Sequence, residues 1–67
     1  MTRKDYILIA RSLRFAREEC NQDRGALAGV DAAGETIAGN LERDNPRFDR
    51  EHFLAVVRGA GNTRKMD

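Results

Sequence analysis

Apolar residues recur along the first third of the chain at the spacing of one helical face. Their i, i+3, i+4, i+7 pattern predicts an amphipathic helix over residues 3–20. Thr2 is placed as its N-cap, and Asp5 stands where it can complete a capping box. The stripe consists of Tyr6, Ile9, Ala10, Leu13, Ala16 and Cys20.

Two further apolar residues of this helix lie away from that stripe. At about 100° per residue, Leu8 and Phe15 project from a different side of the helix. Either the helix lies centrally between two others, or its second side contacts a partner. Leu8 and Phe15 are therefore the candidates for self-association.

A second apolar stripe occupies the middle of the chain and ends near residue 44. Residues 21–25 are polar, end in glycine and are typical of a loop between helices. Gly29, Gly34 and Gly39 each disfavour a helix by up to ~1 kcal/mol relative to alanine. The second helix is therefore predicted to begin at residue 26 or at residue 31, and the state of residues 21–30 stays open. Its stripe consists of Ala26, Val30, Ala33, Ile37 and Leu41.

Residues 45–54 contain a helix stop, a rigid turn and a new helix start. Pro46 disfavours the αR conformation at Asn45, so the second helix should end just before it. Asp49 is placed as the N-cap of a third helix over residues 50–58. Phe48 and Phe53 stand at N′ and N4, the positions of a hydrophobic staple. The structural residues of this turn are Asn45, Pro46, Phe48, Asp49 and Phe53.

These segments predict a small all-α domain over residues 1–59. Two longer antiparallel helices should pack through Ile9, Leu13, Ile37 and Leu41, with the short third helix folded across them through Phe48 and Phe53. Gly59 is placed to terminate the third helix. Residues 60–67 lack periodicity and are predicted to be a flexible tail. With 67 residues, such a core supplies only ~3–5 kcal/mol.

Composition adds little evidence for chemistry. The single cysteine and single histidine leave no disulfide framework and no metal-ligand cluster. His52 has no serine or thiol beside it, and Cys20 belongs to the apolar stripe. We therefore expect no catalytic residues, no metal and no cofactor. The chain shows neither a secretory leader pattern nor an apolar run of about 20 residues, which predicts a cytoplasmic protein without a membrane contact.

The net charge of +1 gives no overall support for nucleic-acid binding. The basic residues of the first helix nevertheless share an arc of about 140° beside the apolar stripe. This arc suits an acidic protein surface or a phosphate backbone, and it is also compatible with an ordinary solvated helix face. It contains Arg3, Lys4, Arg11, Arg14 and Arg17. The candidate partner contacts are Arg11, Arg14, Arg17, Arg47 and Arg50.

Three segments carry a resemblance to a known group. They are Thr-Arg-Lys-Asp-Tyr at residues 2–6, Ile37-Ala38 with Leu41, and Asp-Asn-Pro-Arg-Phe-Asp-Arg at residues 44–50 followed by Phe53 and Leu54. Together they resemble small proteins of tailed phages and prophages that share this opening helix and this turn. The chain departs from that group at residues 21–29 and after residue 59.

The resemblance implies a phage origin and an accessory role in the cytoplasm of an infected bacterium, and it carries no functional residues over. We therefore expect a non-enzymatic phage protein that binds or inhibits a host protein or a host defence complex. The alternative is a small nucleic-acid-associated regulator that uses the arginine arc of the first helix.

Overall fold

The computed structural model describes residues 2–60, and within them the chain forms three α-helices and no strand. The helices are α1 (Arg3–Glu19), α2 (Arg24–Asp44) and α3 (Arg50–Val57). Each helix contacts the other two. The predicted all-α, three-helix fold is confirmed. Most of the predicted tail, residues 61–67, lies outside the described residues.

The start of α1 has the predicted capping box. The Asp5 amide donates to Thr2 Oγ1 over 3.4 Å, and the Thr2 amide donates to Asp5 Oδ2 over 3.0 Å. The two residues therefore satisfy backbone donors that have no partner inside the helix. At the other end α1 stops at Glu19, one residue earlier than predicted, and Cys20 is its C-cap.

The second helix begins two residues before the earlier of its two predicted starts, and the later start at residue 31 is wrong. Helix α2 begins at Arg24, within the segment that was predicted to be a loop. Asp23 is its N-cap, and one carboxylate oxygen accepts from the Ala26 amide over 3.1 Å. Because this cap fixes the first turn, Gly25 and Gly29 lower the propensity of the helix without stopping it.

The turn between α2 and α3 follows the prediction. Asn45 is extended, with φ −137° and ψ 101°. Its Oδ1 accepts from the Arg47 amide over 3.1 Å, and its Nδ2 donates to the Tyr6 hydroxyl over 3.3 Å. Asp49 then accepts from the His52 amide over 2.9 Å as the N-cap of α3. The turn is thus bonded both to itself and to α1.

Three aromatic rings join this turn to the core. The Phe48 ring centroid lies 4.8 Å from that of Tyr6 and 5.3 Å from that of Phe53, and both ring pairs are tilted. The predicted staple between Phe48 and Phe53 is therefore present, and it extends to α1. The other buried hydrophobic residues are Ala10, Ala38, Leu41, Leu54, Val56 and Val57.

The buried face of α2 agrees with the predicted stripe only in part. Leu41 is buried and Ile37 packs against the core as predicted, whereas Ala33 is exposed and Gly34 and Ala38 are buried in addition. A Cβ atom at Gly34 would lie 3.8 Å from Val57 Cγ1 and 4.0 Å from Leu13 Cδ1. Because α2 packs against both α1 and α3, its small residues mark the line where the three helices approach closely.

Candidate interaction surface

Helix α1 carries an apolar surface on the side opposite the core. Leu8 and Phe15 each keep 64% of their accessible surface, and they are the exposed large hydrophobic residues of the described chain. Tyr6 and Ala10, on the other side of the helix, are buried. The interpretation that α1 lies centrally between its neighbours is therefore wrong, because α2 and α3 leave this second apolar side uncovered.

Two cationic side chains alternate with these apolar ones. Lys4, Leu8, Arg11 and Phe15 follow one another at intervals of four, three and four residues, which places them on one helical face. We call these four residues the outer face of α1. Neither Lys4 nor Arg11 forms an ion pair within residues 2–60. The outer face is thus both apolar and positively charged.

A shallow groove lies along the N-terminal half of this face. Its volume is about 210 Å³, and its lining is mainly apolar. It is lined by Lys4, Asp5, Ile7, Leu8 and Arg11. This groove has room for an apolar side chain from a partner, with Lys4 and Arg11 beside it.

The structure pairs two of the candidate arginines with carboxylates. Arg14 Nε lies 3.4 Å from Glu18 Oε1, one helical turn along the same helix. Arg17 Nε donates to Asp31 Oδ1 over 2.8 Å, which joins α1 to α2. The Arg17 side chain is only 31% exposed. Arg17 therefore acts first as a structural link, and only part of it is accessible to a partner.

The remaining two candidates lie beside the turn before α3. Arg47 and Arg50 are exposed on either side of the cap residue Asp49, and neither forms an ion pair within the described part of the chain. The ring contact between Phe48 and Tyr6 places this turn next to the start of α1. Because Arg17 lies about 16 Å further along that helix, the five arginines do not form one cluster.

The residues with potentially reactive or metal-binding side chains lie apart from one another. His52 lies in the first turn of α3 and Cys20 at the end of α1, and both are half-buried. Within residues 2–60 no three His, Cys, Asp or Glu side chains come together as a metal site. Hydrogen bonds from the Thr2 amide and hydroxyl lower the pKa of Asp5. This shift belongs to the helix cap.

The outer face of α1 is the surface that sequence reasoning identified only in part. The helical angles alone separate Leu8 and Phe15 from the core stripe. Only the structure shows that Lys4 and Arg11 are exposed beside them.

No helix within residues 2–60 has the length and apolar character to cross a bilayer. No protein-family model, curated protein or solved structure matches the chain.

Proposed function

We propose that this chain is a non-enzymatic phage accessory protein that binds a protein or a defence complex of the bacterial host. The observation that carries the proposal is the outer face of α1, where Leu8 and Phe15 stand exposed opposite the core. The phage origin and the host partner rest on the resemblance of residues 2–6 and 44–50 to small phage proteins.

An exposed apolar pair on a regular helix favours a protein partner. Fully burying a leucine or phenylalanine side chain stabilises a complex by ~1.5–3 kcal/mol relative to leaving it exposed. Leu8 and Phe15 are two helical turns apart, about 10 Å along the axis. This spacing is typical of the anchor residues that a helix places in a groove of its partner.

The charges of the same face indicate what the partner surface is like. Lys4 and Arg11 flank the apolar groove, and neither forms an ion pair within residues 2–60, although the Asp5 carboxylate also lines the groove. Carboxylates on the partner would speed the encounter and set the orientation of the complex. An acidic surface with an apolar depression is therefore the complement of this face.

The pairing of Arg14 and Arg17 favours a protein over nucleic acid. Each already lies against a carboxylate, Glu18 or Asp31, so the arc of helix-1 arginines offers phosphates less charge than its sequence indicates. A nucleic-acid site gains affinity from each phosphate that its cations neutralise. Nucleic acid is therefore the second candidate partner, and it would bind the arginine arc of α1.

The proposal is tested by capture from a bacterial lysate with tagged protein. The double variant Leu8→Ser with Phe15→Ser removes the apolar part of the outer face and should lose the captured protein. The matched control is Ala32→Ser with Ala33→Ser, which changes two exposed positions of α2 and should capture as the wild type does. Equal capture by both double variants would exclude the outer face as the binding surface.

The charged part of the surface needs separate variants. Arg11→Glu, Arg47→Glu and Arg50→Glu reverse exposed charges that have no ion pair within residues 2–60. Arg17→Glu is a poor probe, because it would place a second carboxylate against Asp31 and lower stability as well. If Arg11→Glu loses capture while Arg47→Glu and Arg50→Glu keep it, the two arginines beside the turn do not contribute to binding.

Binding to duplex and single-stranded DNA separates the two readings. A nucleic-acid regulator should bind at low salt and lose orders of magnitude in affinity as salt rises. That binding should survive the double variant at Leu8 and Phe15. An absence of DNA binding at low salt would remove the nucleic-acid alternative.

A further inference from the structure

The charges of α1 are arranged in opposite signs toward its two ends. Lys4 lies at the N-terminal end of the outer face, while Glu18 and Glu19 lie beyond its C-terminal residue Phe15, and all three are exposed. Leu8 and Phe15 stand between them. At about 100° per residue, these five positions fall within an arc of roughly 100°.

This arrangement is complementary to itself when two helices run antiparallel. A two-fold axis between Arg11 and Ser12 places Leu8 of one copy opposite Phe15 of the other. The same axis brings Lys4 to the level of Glu19 and beside Glu18. In a two-fold interface every such contact occurs twice, so the pair buries four apolar side chains between two sets of opposite charges.

We propose that two copies of this chain associate antiparallel through the outer face of α1. The partner is a second copy because helix α1 supplies both halves of each contact: Leu8 lies opposite Phe15, and Lys4 of the outer face lies opposite Glu19, which follows that face. Within residues 2–60 neither Lys4 nor Glu19 forms an ion pair with its own chain. The inference does not depend on the identity of a host partner.

The same geometry keeps the dimer weak. One helical face buries less than the ~800 Å² per partner of a standard protein interface. The two Arg11 side chains also meet near the two-fold axis, where their like charges repel. The Asp5 carboxylate, which accepts hydrogen bonds from Thr2, lies near Glu19 of the second copy. These like charges also weaken the dimer. A reversible dimer is therefore expected, and a host protein that binds the outer face would replace the second copy.

Sedimentation equilibrium over a range of concentrations tests the proposal with purified protein alone. The wild type should show a monomer–dimer equilibrium. The double variant Leu8→Ser with Phe15→Ser should be monomeric throughout, and the control Ala32→Ser with Ala33→Ser should behave as the wild type. A wild type that stays monomeric up to about 1 mM, where binding is only ~4 kcal/mol, would overturn the proposal, as would an unaltered dimer of the first variant.

A charge exchange tests the antiparallel register. In homodimers Lys4→Glu faces Glu19, and Glu19→Lys faces Lys4, so each variant alone should dimerise about tenfold more weakly than the wild type. An equimolar mixture of the two variants restores opposite charges at both ends and should recover wild-type affinity. A mixture no tighter than its components would refute the register.

Both exchanges are compatible with the fold. A glutamate in the first turn of α1 and a lysine in its last turn each suit the helix dipole. Circular dichroism of each variant should therefore match the wild type, which separates weaker dimerisation from unfolding. Failure of the host capture with an intact dimer would refute the proposed function and leave this inference standing.

Discussion

Replacing Gly34 with alanine should stabilise the protein, although Gly34 is the buried glycine at the line where the three helices meet. A Cβ atom there would make ordinary van der Waals contacts, at 3.8 Å from Val57 Cγ1 and 4.0 Å from Leu13 Cδ1. The added methyl group therefore fills space without displacing a neighbour. Close packing alone does not require glycine at this position.

Two favourable contributions set the size of the effect. Alanine is better than glycine in a helix interior by ~1 kcal/mol, and burying one methyl group contributes up to ~0.8 kcal/mol. Gly34→Ala should therefore raise the free energy of unfolding by ~1–2 kcal/mol. For a domain of this size, each 1 kcal/mol corresponds to a rise of roughly 4–8 °C in Tm.

Thermal and urea unfolding followed by circular dichroism measure this effect, with two matched glycine variants. Gly29→Ala has open space around the new methyl group, so it should gain only the helix-propensity part. Gly59 has φ +82°, and Gly59→Ala should lower stability by ~1 kcal/mol or more because alanine is strained there. A Gly34→Ala protein that is less stable than the wild type, beside a stabilised Gly29→Ala, would refute the packing argument.

Three further perturbations test the capping and the core. Asp49→Ala removes the oxygen that accepts from the His52 amide over 2.9 Å, and urea unfolding should show a loss of ~1 kcal/mol. Phe53 is fully buried, so Phe53→Ala should cost ~3–5 kcal/mol, enough to remove the helical circular dichroism signal at 25 °C. For Asp5, hydrogen bonds from Thr2 lower the pKa below its usual 3.8; this stabilisation is present above that pH and is lost as the pH falls through the lower folded-state pKa. The urea midpoints of the wild type and Asp5→Ala should therefore converge in acid. Unchanged stability of Asp49→Ala, a folded Phe53→Ala, or a pH-independent gap for Asp5→Ala would each contradict the corresponding contact.

Local sequence signals determined much of this fold. The capping box of Thr2 and Asp5, the cap at Asp49 and the staple of Phe48 with Phe53 all involve residues within five positions of one another. Such signals act through backbone donors and side chains of a single turn, so a sequence contains all of their parts. The capping signal of Asp23 is equally local, but Gly25 and Gly29 disfavour a helix and so favour the prediction of a loop there.

The buried face of α2 depended on its neighbours. Leu41 of the predicted stripe is buried and its larger members Val30 and Ile37 are half-buried, whereas the small residues Gly34 and Ala38, outside that stripe, are fully part of the buried face. A helix in contact with two others must turn its smallest residues toward the closest approach, because larger side chains would hold the axes apart. Periodicity in one segment contains no information on how near its neighbours come.

The candidate surface likewise depends partly on the sequence of α1 and partly on how the three helices pack. Helical spacing alone separated Leu8 and Phe15 from the apolar stripe of α1, and it placed basic residues beside them. Only the packing of α2 and α3 on the same side of α1 decided that these two apolar residues stay exposed. The tertiary structure also linked Arg17 to Asp31 and left Arg11 without such a partner within residues 2–60, because an ion pair between helices depends on their relative positions.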